Sequence, residues 1–378
     1  MRRAATAATL AALCGCIAPQ RAARLPPVTS PEFSMDRDER NLWREAAELD
    51  TRARKSGAVL ADPALERYLL GIARKLAPRA ALERLDVRVR VLESSGLTAF
   101  VAPDGGAFVT MGLLARLDNE AQLAMVLGHE LVHALNRHSI VEYRTFKSGA
   151  ALASLLPFSL GELGMKAAVT GYSRDLEREA DEDGLGLAAA AGWDVREAPR
   201  PFEHLAEWVK EEGIEEPFFF ATHPRLEERI ESIRALLEAR PAGRRGGEVG
   251  AQRYRSAVRE VVLATARLDL AAGRFGAAER GARAYLDLVP RSAAGWALLG
   301  DAARQRGAAD EALAHYRTAV SHDAACPEAQ RGLGQALARR GDRSGARAAL
   351  RAYLRLRPNA EDRAWIDAEL AGLGKDER

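Results

Sequence analysis

The apolar positions of the chain follow two periods, which together predict a mainly helical protein with one small β-sheet. Helical spacing runs through residues 36–78, where it is marked by Leu42, Trp43, Ala46 and Leu49. Short strands are predicted by the apolar patterns at 86–92, 97–102 and 107–111. A further pattern, which starts at the potential N-cap residue Asp118, predicts one long and buried helix that continues to about Tyr143.

An apolar segment at residues 149–169 is interrupted by proline and glycine. We predict a lid or a packed helical hairpin here, and a membrane-spanning hairpin is the alternative. Helical patterns return at 173–191 and around 224–239. Residues 241–250 are rich in glycine and arginine, which indicates a linker.

Beyond this linker the chain repeats itself with a period of 34 residues, which is kept by Gly273, Gly307 and Gly341 and by Ala278, Ala312 and Ala346. The period and the run Trp296-Ala-Leu-Leu-Gly300 resemble the tetratricopeptide repeat, a pair of helices that packs on its neighbours. We predict three units at 259–292, 293–326 and 327–360, within an α-solenoid that spans 251–378. An unrelated alanine-rich bundle is the alternative.

The N-terminus has the features of a bacterial lipoprotein signal. Arg2 and Arg3 precede a short apolar stretch that ends in Leu13-Cys14-Gly15-Cys16, which resembles a lipobox. Residues 1–15 are therefore predicted to be a signal peptide, and Cys16 is predicted to be lipidated. A plain cleaved signal with incidental cysteines is the alternative.

The sequence after Cys16 predicts how the protein is attached and where. Residues 16–35 contain four prolines and no periodic pattern, which predicts a flexible tether. Ile17 stands where an aspartate would favour retention at the inner membrane, so the lipid anchor is predicted to be in the outer membrane, on its periplasmic face.

Composition adds little to this picture. Hydrophobic residues make up 47% and charged residues 29% of the chain, as in ordinary globular proteins. The net charge of +2 arises from basic residues that are scattered and matched by acids, so no nucleic-acid partner is expected.

The run His129-Glu-Leu-Val-His133 lies within the predicted long helix and carries the candidate chemistry. Residues four apart in a helix project from nearly the same face, so the two imidazoles can bind one zinc ion. Glu130 is placed beside that ion, where it can accept a proton from water. The alternative is a buried helix whose two histidines only pack.

A third ligand has to come from another element, because neither Asn136 nor His138 has the spacing of an extended zinc motif. We predict a carboxylate, and the candidate is Glu177, in a helix that also carries Asp181 one turn later. Asp181 would then accept a hydrogen bond from a ligand imidazole. Small residues at Ala180, Gly184 and Ala188 share the face of this helix, so a second helix can approach it closely.

These motifs, together with His223-Pro224, resemble the CAAX-prenyl-protease-like metallopeptidases, the family that includes the HtpX proteases. With the lipobox and the repeats, the chain is most similar to the BepA-type periplasmic branch of that family. The resemblance implies an α+β, zincin-like catalytic domain at residues 36–240. It implies His129, His133 and Glu177 as zinc ligands and Glu130 as the base, and it places His223 near the metal. His138 and His204 are predicted to be structural.

The expected activity is zinc-dependent hydrolysis of polypeptides, with misfolded or misassembled envelope proteins as the substrate class. The repeats are expected to bind a protein partner, such as the outer-membrane assembly machinery, and to sit against the catalytic domain without extending its core. A repeat-based assembly factor with a closed or weakly active zinc site is the main alternative. A zinc hydrolase of non-peptide substrates is the third.

Overall fold

The computed structural model describes residues 23–149, 172–212, 226–240 and 246–374. The first part of the chain contains α1 (Arg37–Lys55), α2 (Pro63–Leu76), α3 (Arg79–Leu82), β1 (Arg88–Leu92), β2 (Ala99–Val101), β3 (Gly106–Thr110), α4 (Met111–Leu114), α5 (Glu120–Leu135), α6 (His138–Gly149), α7 (Arg174–Ala190), α8 (Arg200–Glu212) and α9 (Leu226–Ala239). The second part contains α10 (Ala251–Ala271), α11 (Phe275–Leu288), α12 (Ala293–Gln305), α13 (Ala309–His322), α14 (Pro327–Arg339), α15 (Arg343–Leu356) and α16 (Arg363–Gly372). The prediction of a mainly helical fold with a small sheet is confirmed.

Three strands form the sheet in the order β1-β3-β2, with β1 parallel and β2 antiparallel to the central β3. The rings of Phe100 and Phe108 lie opposite each other on β2 and β3, and they stack with their centroids 4.9 Å apart. Helices α2 and α5 pack on the sheet, and their apolar side chains share one core with it. The sheet thereby fixes the position of α5, the helix that contains both histidines of the predicted zinc motif.

The predicted long helix is in fact two helices, because the chain breaks between Leu135 and His138. The structure also places the N-cap at Asn119, whose side chain accepts a hydrogen bond from the backbone of Gln122, and not at Asp118. Arg137 causes the break: its φ of 59° is the left-handed conformation, which is strained for a residue with a side chain. No apolar pattern signals such a break, since both helices are buried.

The N-terminal segment holds Arg137 in this conformation. The Arg137 guanidinium pairs with the buried carboxylate of Glu39 and donates to the carbonyl oxygens of Pro26 and Ser34, each at 3.0 Å. Val28 is buried in the core, and its amide donates to the Leu135 carbonyl at the end of α5. The expectation of a flexible tether is therefore wrong for the described residues around 26–34, which pack against the predicted catalytic domain.

The three predicted helix pairs are present as α10–α11, α12–α13 and α14–α15, and α16 packs on the last of them. The glycines that set the period of 34 residues stand at the turn inside each pair. Gly273, Gly307 and Gly341 have φ values of 78°, 82° and 85°, a conformation that glycine adopts without the steric cost of a Cβ. The repeated turn thus explains the repeated glycine.

The first repeat helix, α10, contributes side chains to the hydrophobic core of the predicted catalytic domain. The expectation that the repeats do not extend this core is therefore wrong. Tyr254 of α10 is completely buried, and its hydroxyl donates to the Leu114 carbonyl at 2.6 Å. Val258, Val261 and Val262 belong to the same apolar cluster as α2 and α5. The end of the predicted linker is also ordered, since the Val249 carbonyl accepts from the Ala121 amide.

Within the described ranges, no helix is long and apolar enough to cross a membrane. Residues 150–169 of the apolar segment, which we predict to be a lid or hairpin, lie outside the described residues, as do Cys16 and His223. These predictions therefore stay predictions.

Candidate metal centre

Helix α5 presents His129 and His133 on one face, one turn apart, within the core of the domain. Every residue of this helix is buried, because the sheet, α2 and α7 cover it on different sides. Burial removes the alternative hydrogen bonds that water would offer to the imidazoles, so their orientation depends on protein neighbours. The Nε2 atoms of the two rings face each other at 3.1 Å.

Helix α7 brings Glu177 to the same point. It packs against α5 at Gly128 and Gly184, where a Cβ atom added to Gly184 would lie 2.8 Å from the His129 backbone nitrogen. This is closer than real Cβ contacts, so the two helices reach this distance only with glycine at that position. The prediction that small residues on α7 allow a close approach is met by this contact.

The three predicted ligands fit a tetrahedral metal ion. Oε2 of Glu177 lies 3.6 Å from Nε2 of His129, and Oε1 of Glu177 lies 3.5 Å from Nε2 of His133. Ligand atoms around a tetrahedral zinc ion with bonds of the usual length are about 3.3 Å apart. In the part of the chain that the structure describes, this is the one cluster of His, Cys, Asp and Glu with metal-ligand spacing. Two imidazoles and one carboxylate are also a donor set that zinc prefers.

Asp181 occupies the position predicted for it, one turn beyond Glu177. Its Oδ1 lies 2.9 Å from Nδ1 of His129, so it can accept the Nδ1 proton and leave Nε2 free for a metal. Burial alone would raise the pKa of Asp181, but the charge of Arg229 and the hydrogen bonds from His129 and Arg229 lower it below its ordinary value. Asp181 is therefore a carboxylate at neutral pH.

Glu130, the predicted base, is buried beside the two histidines on α5. Tyr172 lies over His133 with its ring nearly parallel, at a centroid distance of 3.8 Å. Burial raises the pKa of Tyr172 well above its ordinary value, and the carboxylates of Glu130 and Glu177 raise it further. Tyr172 is thus a neutral phenol that fixes the plane of the His133 ring.

The structure places His138, predicted to be structural, in contact with a metal-site residue. The break at Arg137 turns α6 back so that Nδ1 of His138 lies 2.9 Å from Nδ1 of His133. Burial and the charge of His129 lower the pKa of His138 to about 4, so its ring is neutral and can accept the Nδ1 proton of His133. His204, by contrast, pairs with Asp118 at 2.8 Å and is separate from the cluster.

Arg229 is the site residue that sequence reasoning missed. It lies on α9, is buried, and donates to both oxygens of Asp181. The only signal in the sequence was its position, six residues after His223, in a helix with several other charged residues. No spacing rule separates this arginine from the exposed Arg234 on the same helix.

With this geometry established, comparison with known proteins identifies the domains. Residues 63–237 match the model of peptidase family M48, and residues 263–327 and 303–366 match two tetratricopeptide-repeat models. Residues 63–237 form an M48 domain. The family resemblance and the repeat architecture that the sequence predicts are both confirmed.

Curated relatives of the chain come from bacteria and from mitochondria. The chain is 27% identical over 205 residues to a beta-barrel assembly-enhancing protease of Vibrio cholerae, and 26% over 199 residues to that of Escherichia coli. It is 31% identical over 181 residues to the mitochondrial metalloendopeptidase OMA1 of Arabidopsis thaliana. These alignments cover 50%, 48% and 46% of this chain, but only 42%, 40% and 36% of the relatives. The similarity thus spans less than half of each relative.

The cluster predicts one zinc ion per chain. Replacement of His129, His133 or Glu177 by alanine should reduce the zinc content after dialysis, because each change removes one of three protein ligands. Asp181→Asn should weaken zinc binding by about 10- to 100-fold, as loss of such a supporting hydrogen bond usually does. Metal analysis of the purified variants measures both effects. Full zinc retention by Glu177→Ala would contradict its assignment as the third ligand.

Proposed function

We propose that the chain is a zinc-dependent metalloendopeptidase that hydrolyses peptide bonds. The observation that carries this proposal is the metal-ligand spacing of His129, His133 and Glu177 inside an M48 domain. The metalloendopeptidases among the relatives support the same activity. The buried Glu130 supports it further, because a domain that only stored zinc would not require a base beside the ligands.

The residues of the chain divide the chemistry between them. His129, His133 and Glu177 would hold a zinc ion, which would act as a Lewis acid on the scissile carbonyl. Glu130 removes a proton from the attacking water and later delivers it to the departing amine. Asp181 and His138 accept the Nδ1 protons of the two histidines, so that both rings keep Nε2 directed toward the ligand position.

Strand β2 offers an edge along which an extended polypeptide could pair. The central strand β3 is already paired on both sides. Within the described residues β2 pairs with β3 alone, which leaves its outer edge unpaired, and it packs against α5. A polypeptide that pairs along a strand edge is bound through its backbone hydrogen bonds, so many different side chains are tolerated. This tolerance supports misfolded or misassembled envelope proteins as the substrate class.

The repeat region is proposed to bind a protein partner. Stacked helix pairs form extended surfaces that other proteins recognise. A cleft of about 530 Å³ at the C-terminal units is lined by Arg331, Tyr353 and Asp362, and Asp362 accepts hydrogen bonds from the other two side chains. The names of the bacterial relatives support outer-membrane assembly machinery as the class of partner.

A second candidate function is an assembly factor whose zinc site is closed. The observation that favours it is the burial of the site: His129, His133 and Glu177 are each at most 4% exposed. A substrate could reach them only after neighbouring segments move. The two functions differ in whether purified protein cleaves a peptide.

Glu130→Gln tests the proposed activity. The glutamine amide keeps the size of the side chain but cannot accept the proton, so peptide cleavage should fall by about 100-fold or more while zinc content is unchanged. Cleavage of an unfolded protein such as casein is the measurement, with chelator-treated parent protein as the negative control. Absence of cleavage by zinc-loaded parent protein would favour the assembly-factor alternative.

Lipid attachment at Cys16 and a periplasmic location at the outer membrane remain proposals. The bacterial relatives support the periplasmic location, although other relatives are mitochondrial. The proposal of lipid attachment rests on the run Leu13-Cys14-Gly15-Cys16. Cys16→Ser should move the protein from the membrane fraction to the soluble fraction, because one polar residue replaces the acylated anchor. Unchanged sedimentation of this variant with membranes, in cells where the parent sediments, would contradict lipid anchoring.

His223 is proposed to act near the metal, and three roles stay open. It precedes Pro224, which favours an extended backbone at the start of α9. A neutral imidazole that fills the free metal position would inhibit, so His223→Ala should raise activity. As a donor to the transition-state oxyanion it would assist, and the substitution should lower kcat by about 100-fold. Unchanged kcat and zinc content would leave only a bystander. Steady-state peptide hydrolysis separates these outcomes.

A further inference from the structure

Arg229 places a positive charge at the centre of the metal site, where the family resemblance assigned no residue. The residue is 5% exposed, although arginine is seldom buried unless it is paired. The guanidinium also lies over the ring of Phe202, 4.3 Å from the centroid. Such burial indicates a specific task, because the desolvation of an arginine is costly unless its partners compensate for it.

The partners of Arg229 are the two carboxylates of the site. Nε donates to Asp181 Oδ2 at 3.1 Å and Nη2 donates to Oδ1 at 2.6 Å, which is the two-pronged geometry of a strong arginine–carboxylate pair. Nη1 lies 3.4 Å from Oε2 of Glu177 and has no hydrogen bond within the described residues. One guanidinium therefore faces both the predicted third ligand and its supporting carboxylate.

The geometry around His129 shows what this pairing achieves. Oδ1 of Asp181 faces both Nδ1 of His129 at 2.9 Å and Nη2 of Arg229 at 2.6 Å, while those two nitrogens are 3.1 Å apart. If Asp181 accepts from both, His129 carries its proton on Nδ1 and Nε2 is free for the metal. Nη2 of Arg229 also lies 3.4 Å from Nε2 of His129, so the guanidinium is close to both ring nitrogens. If Asp181 turned away, nothing in this pairing would favour the tautomer that leaves Nε2 free for the metal.

We propose that Arg229 is a positioning residue of the metal centre: it holds Asp181 by two hydrogen bonds and attracts Glu177, and so keeps His129 directed at the metal. The proposal rests on the metal site that the proposed function uses, but not on peptide cleavage. Because Arg229 belongs to α9, it also joins this helix to α5 and α7 through the site.

Zinc affinity tests the proposal directly. Arg229→Gln and Arg229→Lys should each weaken zinc binding by about 10- to 100-fold in competition with a chromophoric chelator. Lysine retains the charge but cannot form two parallel hydrogen bonds, so it should not restore affinity. The visible spectrum of the cobalt-substituted protein should change in both variants, since it reports ligand geometry. Arg234→Gln on the same helix, which breaks an exposed pair with Glu203, is the matched control and should leave both measurements unchanged.

A double substitution tests whether Arg229 affects zinc binding through Asp181. If the two residues act as a unit, Arg229→Gln combined with Asp181→Asn should bind zinc no more weakly than the weaker of the two single variants. If the two single losses of zinc affinity simply add in the double variant, this result would contradict an action of Arg229 through Asp181. Parental zinc affinity and an unchanged cobalt spectrum in both Arg229 variants would overturn the proposal as a whole. The lysine variant keeps the buried charge, so it remains informative if the glutamine variant fails to fold.

Discussion

The contact between α5 and α7 at Gly128 and Gly184 is the constraint on which the metal centre depends. The two histidines come from one helix and the carboxylate from another, so their spacing is set by the distance between the two helix axes. A single Cβ at Gly184 would meet the His129 backbone at 2.8 Å and force the helices apart. An increase of even 1 Å in the distance between α5 and α7 would exceed the tolerance of a tetrahedral metal site, whose bond lengths vary by only about 0.2 Å.

Two further contacts keep this pair of helices in place from outside. The N-terminal segment buries Val28 and pairs Glu39 with Arg137, at the point where the chain turns back after α5. Removal of one partner of such a buried pair would leave an uncompensated charge, which costs several kcal/mol. On the other side, α10 of the repeats inserts Tyr254 into the core beside α4. The M48 domain and the first repeat helix therefore share a core and are not two independently packed bodies.

The sequence predicted those features that depend on local spacing. The interval of four between His129 and His133, the small residues of α7 and the glycine period of the repeats each act within one helix or one helix pair, so their consequences can be read along the chain. The break at Arg137, the burial of Val28 and the contacts of Arg229 depend on residues far apart in sequence. Arg137 bonds to a partner 98 residues away, and Arg229 to one 48 residues away. The spacing of residues along the sequence does not indicate pairs that are so far apart in the chain.

The charges around the triad give an independent physical argument for a divalent cation. The carboxylates of Glu130, Glu177 and Asp181 are all buried, and Arg229 is the one buried guanidinium among the described residues that contacts this group. Burial of three carboxylates close together is unfavourable unless positive charge lies nearby. A divalent cation bound where the ligand atoms of His129, His133 and Glu177 converge would add such charge. The same electrostatic balance makes zinc binding favour the folded state, because the unfolded chain has no comparable arrangement of ligands.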